Sequence, residues 1–271
     1  KLIKKWVNKA RPHNETAIIV SGGPSTDWDQ LKNIIKMEGE WNCKVVCVKH
    51  SYPHLIENGI IPWACIILDP RPIKGISTHG VVRKSLFSNI HKDTIFMPAS
   101  MTDPSITKLI KKKTKKIVGW HAFTQTLQEN IKDSVKGGAV KIDDALGIKE
   151  GATMITGGTC AAMRSIGLMH TLGFRDFHLF GYDCSLPEPS EEEKKEFTEE
   201  GKPKYMKVGV GSKEFWTTGE LIAMGQDCEK LFERDDVDMR LTFHGKDTMA
   251  ASLWELAPIH KLKHYTKLLD I

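Results

Sequence analysis

The chain has 271 residues, 40% hydrophobic and 27% charged, with 39 Lys and Arg against 34 Asp and Glu for a formal net charge of +5. These values lie close to the globular average and exclude a disordered chain, a collagen-like repeat and a small disulfide scaffold. An excess of five positive charges is too small to argue for nucleic acid, and no apolar run approaches the roughly 20 residues needed to span a bilayer.

The opening Lys1 to Trp6 is basic but lacks the apolar stretch of a signal peptide. Six cysteines (43, 47, 65, 160, 184 and 228) lie in apolar segments without zinc-site spacing, which leads us to expect free thiols and a reducing, cytoplasmic setting. In chain order, Ala17 to Val20 is a short apolar run ending in the turn Ser21-Gly22-Gly23-Pro24-Ser25. Residues 27 to 37 follow with Leu31, Ile34 and Ile35 at helical spacing. Strand-like runs recur at Lys44 to Val48, at Ala64 to Leu68 before Asp69-Pro70, and at Thr94 to Met97. A lysine-rich helix after Pro104 and a short fifth run at Lys116 to Val118 complete the first half.

Residues 120 to 151 break the pattern with several glycines and are expected to be irregular, as a flap over the site. Order returns with a Gly-rich approach, Thr156-Gly157-Gly158-Thr159, opening a small-residue helix from Cys160 to Leu172 that Gly173 ends. A strand at Phe177 to Phe180 ends in Gly181-Tyr182-Asp183. An exposed acidic excursion near residues 187–204 is followed by a hairpin (205–210 and 214–217), a helix at 219–234, a strand at 239–243 and a tail containing Trp254. Continuous apolar strands alternating with amphipathic helices predict an α/β fold, with a mostly parallel central sheet and helices on both faces. Neither a repeat nor a Pro/Ser-rich linker divides the chain, so a single domain over residues 1–271 is expected.

Chemistry is expected at the strand ends. Glycines in Ser21, Gly22, Gly23 and Ser25 allow close backbone approach, and the following helix offers a dipole for phosphate, although the turn is neither a Walker loop nor GxGxxG. Ser25 or Asp27 could equally cap that helix. Thr156, Gly157, Gly158 and Thr159 repeat the arrangement, with hydroxyls suited to ribose or phosphate. Asp69 and Asp183 each follow an apolar strand and could hold Mg²⁺ with substrate phosphates, accept ribose hydroxyls, or cap a turn. Of eleven histidines, His121 and His244 are the best-placed acid–base candidates. The cluster Lys111 to Lys116 is either a solvated surface or a phosphate-attracting patch.

The stretches IIVSGGPS, ACIILDPRP and TGGTCAAMRSIGLMHTLGFRDFHLFGYDCS, followed by KVGVGSKEFWTTGELIAMGQDCEKLFE, resemble the 6-hydroxymethylpterin diphosphokinase MptE-like family. That family also contains flagellin motility accessory factors, and the first loop and LGF-x-x-F-x-L-x-G-x-D are similar to motifs of bacterial sialyltransferases. The resemblance spans roughly residues 17 to 245. It implies a Rossmann-like fold and a nucleotide donor: ATP, giving pyrophosphate to a hydroxymethyl acceptor with Mg²⁺, or a CMP-sugar, giving its sugar to a glycan or protein. A non-catalytic nucleotide-binding protein is the third possibility. On the family pattern Gly22, Gly23 and Ser25 hold phosphates and Gly157 to Thr159 line the nucleotide site. Asp69 and Asp183 contact metal or substrate, with Asp183 catalytic, and in the sugar-transfer case His244 activates the acceptor. A small-molecule or glycan acceptor is the expected partner, with no nucleic acid and no membrane span.

Overall fold

The structure, a computed structural model, describes residues 3–39, 42–74, 80–123, 153–198, 200–234 and 238–257. Six parallel strands form its centre: β1 (Thr16–Val20), β2 (Cys43–Val48), β3 (Ala64–Ile67), β4 (Ile95–Pro98), β7 (Asp176–Phe180) and β10 (Arg240–Phe243). Their spatial order is β10-β7-β1-β2-β3-β4. The chain thus steps outward from β1 to β4, then returns to place β7 on the other side of β1. That reversal makes the β1/β7 boundary a topological switch point, where loops diverge and leave a crevice beyond the strand ends.

Every residue of β1 is buried, because helices cover both faces of the sheet. Ala17 and Ile19 face one core with Val46, Ile66 and Leu179, covered by Met163, Ile166 and Met169 of α5 (Ala161–Thr171). Ile18 and Val20 face the other core, covered by Leu31 and Ile34 of α2 (Trp28–Glu38), Leu55 of α3 (Tyr52–Glu57) and Ile106 and Ile110 of α4 (Pro104–Lys111). A short α1 (Lys4–Val7) precedes β1. Each such fully buried aliphatic side chain contributes about 1.5–3 kcal/mol of transfer free energy. This two-sided burial is why the strands are uniformly apolar and the helices amphipathic.

The expected elements are present with ends shifted by a residue or two. The exception is the fifth strand: at Lys116 to Val118 only Ile117 bridges Phe96, although the Phe96 and Val118 N–H groups complete that link. Regular pairing begins later, where β5 (His121–Ala122) runs parallel to β6 (Met154–Ile155). The flap expected over 120–151 lies almost wholly outside the described residues. The acidic stretch is exposed and laced by its own lysines, Lys194 to Glu188 and Glu191, and Lys204 to Glu196. Beyond it, β8 (Met206–Val210) and β9 (Lys213–Thr217) form the antiparallel hairpin, followed by α6 (Gly219–Phe232) and α7 (Met249–Glu255). None of the six cysteines is in a disulfide. Among the described residues no helix is long and apolar enough to cross a membrane.

The start of α2 settles the capping alternative: the Asp27 carboxylate accepts the N–H groups of Asp29 and Gln30 at 3.0 and 2.9 Å. Asp27→Ala is expected to cost about 1 kcal/mol of stability in urea denaturation. A change below a few tenths would show that the cap carries no weight.

Candidate anion-binding cleft

A cleft of about 950 Å³ opens at the carboxyl edge of the sheet. Its floor is made by the residues that follow the strands: Ser21 to Pro24 after β1, Val48 to His50 closing β2, Leu68 to Arg71 after β3, and Gly181 with Asp183 to Leu186 after β7. The start of α5, with Thr159 to Ala162, and the start of α6, with Glu220, supply the walls. The strand-end acids and the first glycine turn thus meet at one edge.

The turn after β1 is latched to the loop after β7. Ser21 N–H donates to Phe180 O and Gly23 N–H to Gly181 O, both at 2.8 Å. Ser25 donates its N–H to Asp183 Oδ2 at 3.0 Å and its hydroxyl to Oδ1. A Cβ on Gly23 would lie 2.5 Å from Gly181 O and 2.6 Å from the Asp183 carboxylate, so only glycine fits. Three N–H groups of the expected phosphate cradle are therefore directed at β7, and the Asp183 carboxylate sits where an external anion was expected. Ser25 is a partner of Asp183 and does not line the cleft itself. Burial pushes the Asp183 carboxyl above its ordinary pKa, against the opposing pull of the Ser25 bonds. Cys184 next door holds φ at +55°, a left-handed backbone costing on the order of 1–3 kcal/mol that the surrounding packing sustains.

Asp69 has a different setting. Its side chain is almost fully buried and receives Lys49 Nζ at 2.8 Å, Arg71 Nη2 at 2.8 Å, Arg71 Nε at 3.0 Å and the Arg71 N–H at 2.9 Å. Burial alone would raise its pKa, but the bonds from Arg71 and Lys49 outweigh it and hold the carboxyl well below its usual range. Burial in turn lowers the Lys49 pKa, with Asp69 working in the opposite direction. His50, stacked against Lys49 at 3.2–3.4 Å, is drawn down to about 4 by burial and then by the Lys49 charge. It is a neutral ring at pH 7.

The second glycine turn is also anchored. Gly157 and Gly158 have φ of +115° and +47°, and Thr159 donates both its N–H and its hydroxyl to Asp227 of α6, at 2.6 and 2.8 Å. Of the four expected residues Thr156 to Thr159, Thr159 alone lines the cleft. The N-cap of α5 is Cys160, with no hydroxyl or carboxylate in that position, and the positive dipole end faces the cleft through Cys160, Ala161 and Ala162.

One expectation is corrected here. His244 does not line the cleft: its ring stacks on Phe180 at 4.2 Å and meets His178 at 2.9 Å on the α2 face of the sheet. The cause is strand alternation, since Phe243 takes the opposite face. Asp69 is already neutralised by two cations, Asp183 is bound by Ser25, and no group of three or more His, Cys, Asp or Glu among the described residues is placed to hold a metal. Either carboxylate would have to share or give up a protein partner to meet a cation. His121 lies beyond β4 and lines a separate groove.

Sequence reasoning overlooked Lys49, His50, Arg71 and Asp227. The signal for the first three was present: polar residues directly after buried strands, at the same edge as Asp69 and Asp183. Asp227 lies mid-helix and acts only through the fold.

The fold is that of an α/β protein with a cleft at a topological switch point, lined by Lys49 and Arg71. Residues 1–189 match the family described as 6-hydroxymethylpterin diphosphokinase MptE-like, and the chain belongs to that MptE-like family. Its fold is similar to that of the MAf glycosyltransferase from Magnetospirillum magneticum AMB-1, with a TM-score of 0.53 and 16% identity, covering 96% of this chain and 38% of that one. At that identity the likeness is one of fold, and this chain spans well under half the length of that enzyme. No curated protein sequence matches the chain.

Burial lowers the pKa of His244, and His178 adds to the effect, bringing it to about 4. The unfolded imidazole takes up its proton near pH 6.5, so the stability linked to the neutral ring is lost as pH falls from about 6.5 towards 4. Thermal melts of the wild type should therefore drop across that window, and His244→Gln should flatten the slope. Parallel slopes for the two proteins would contradict the assignment.

Proposed function

We propose that the chain is a transferase that takes a nucleotide donor in this cleft, with the donor phosphate at Lys49, Arg71 and the start of α5. The observation that carries this reading is the presence of two cations, Lys49 and Arg71, and the N-terminus of α5 in a single cleft. Asp69 engages the Nε and Nη2 donors of Arg71. The remaining guanidinium donors are left to bind a phosphate without breaking that pair. Neutral His50 adds a polar ring without further charge.

Asp183 is the group proposed to accept the proton of the acceptor hydroxyl. Its raised pKa improves it as a base relative to an ordinary carboxylate, and Ser25 fixes its orientation. In the diphosphokinase reading, which the family description supports, the acceptor oxygen attacks the β-phosphorus of ATP. Pyrophosphate is transferred, AMP leaves and the hydroxyl proton passes to Asp183. In the second reading the acceptor attacks the anomeric carbon of a CMP-sugar, and CMP leaves with the bonding electrons. What supports this second reading is that a single phosphate diester matches the two cations of the cleft, and no group of three or more His, Cys, Asp or Glu among the described residues is placed to hold a metal.

The test is calorimetric titration with ATP and with CMP, each in Mg²⁺ and in EDTA. At least one nucleotide is expected to bind in EDTA, and Arg71→Ala should weaken it roughly tenfold or more, as loss of a hydrogen bond to a charged group implies. Tighter binding of CMP favours sugar transfer, and tighter binding of ATP favours diphosphoryl transfer. Binding of neither, or unchanged affinity in Arg71→Ala, would overturn the proposal.

A further inference from the structure

A second groove, of about 750 Å³, lies between α4 and the segment 117–121, beside the end of β4. Ser100, Thr107, Lys108, Lys111, Thr114 and Lys115 present hydroxyls and ammonium groups to it, and none of its described lining residues is acidic. Of the lysines from 108 to 116, Lys108, Lys111 and Lys115 line the groove, and Lys112, Lys113 and Lys116 do not. Lys113 is spent on the carbonyls of Phe87 and Ser88, and Lys116 pairs with Asp93. The side chains of Lys111 and Lys115 make no hydrogen bond or ion pair with any described residue.

Gathering like charges in a concave, hydroxyl-lined surface costs free energy that a bound anion would offset, because a groove concentrates the field of its charges. Lys108 and Lys111 on α4 and Lys115 just beyond it all line this one groove. The groove is also tied to the catalytic edge of the sheet. Asp103 N–H donates to Asp69 O at 3.0 Å, and Thr102 Oγ1 and Ala99 N–H both donate to Ile67 O, at 2.9 and 2.8 Å. The loops after β3 and β4 thus form one shelf, with the Asp69 cation cluster on one side and the lysine groove on the other.

We infer that this groove is a second anion site, distinct from the cleft, which binds a phosphate-bearing small molecule through Lys108, Lys111 and Lys115. It does not depend on the nucleotide reading of the cleft, since the two sites share no lining residue.

Inorganic pyrophosphate, titrated calorimetrically at low ionic strength, is the probe. Arg71→Ala serves as the background, so that binding in the cleft is suppressed. That protein is expected to retain pyrophosphate binding. Adding Lys111→Ser and Lys115→Ser should weaken it at least tenfold, with unchanged melting temperature, whereas adding Lys113→Ser should not. Raising the salt should also weaken binding, as expected for exposed cations. The inference fails if the Arg71→Ala protein binds no pyrophosphate, or if the two serines leave its affinity unchanged. It also fails if the lysines prove necessary for a single-stranded oligonucleotide while pyrophosphate does not bind, which would make the groove a nucleic-acid surface.

Discussion

The cleft depends on one buried carboxylate. Asp69 sits at the end of β3 with almost no solvent contact and draws Lys49 from the end of β2 and Arg71 from its own loop onto its two oxygens. An isolated charge at such a depth would be costly, and so would an isolated Lys49. Together they are stable enough to hold two cations at a crevice that would otherwise be apolar backbone and glycine. Arg71 remains the more exposed partner, with a planar fork that can bind on two sides. The arrangement keeps a cation pre-positioned at the sheet edge.

The second constraint is the latch between β1 and β7. Parallel neighbours at a switch point send their loops in opposite directions, and nothing in the sheet itself keeps those loops together. Here Gly23 allows the turn after β1 to touch Gly181 and Asp183, and Ser25 closes it on the Asp183 carboxylate. The glycine pair serves contact between protein segments, and Asp183 gains a fixed orientation and a raised pKa from the same packing. Asp227 performs a comparable role for the second glycine turn, holding Thr159 so that the start of α5 faces the cleft.

The architecture was largely legible in the sequence because two-sided burial leaves an unambiguous trace: Ala17 to Val20, Lys44 to Val48 and Ala64 to Leu68 are continuous apolar runs between amphipathic segments. The edge at which Asp69, Asp183 and the first glycine turn meet followed from the same logic. What each residue does there was not legible. An aspartate at a strand end looks the same whether it awaits a cation or already holds Lys49 and Arg71, since Lys49 comes from the end of another strand and Arg71 meets it only when its own loop folds back. His244 was misplaced because one step along a strand reverses the face, and a run as short as Leu241 to Phe243 leaves that phase undetermined. The lysine run 111–116 could not be divided into paired and unpaired members until Phe87, Ser88 and Asp93 were brought beside it.

The central claim is that Lys49 and Arg71, held by Asp69, receive the phosphate of a nucleotide donor. A crystal structure of the protein soaked with the tighter-binding of ATP and CMP tests it most directly. The account predicts a phosphate oxygen within hydrogen-bond reach of Arg71 and Lys49 and close to the start of α5, with the Asp69 pairs intact. A phosphate bound elsewhere, or a divalent cation coordinated by Asp69 in place of its two cationic partners, would contradict it.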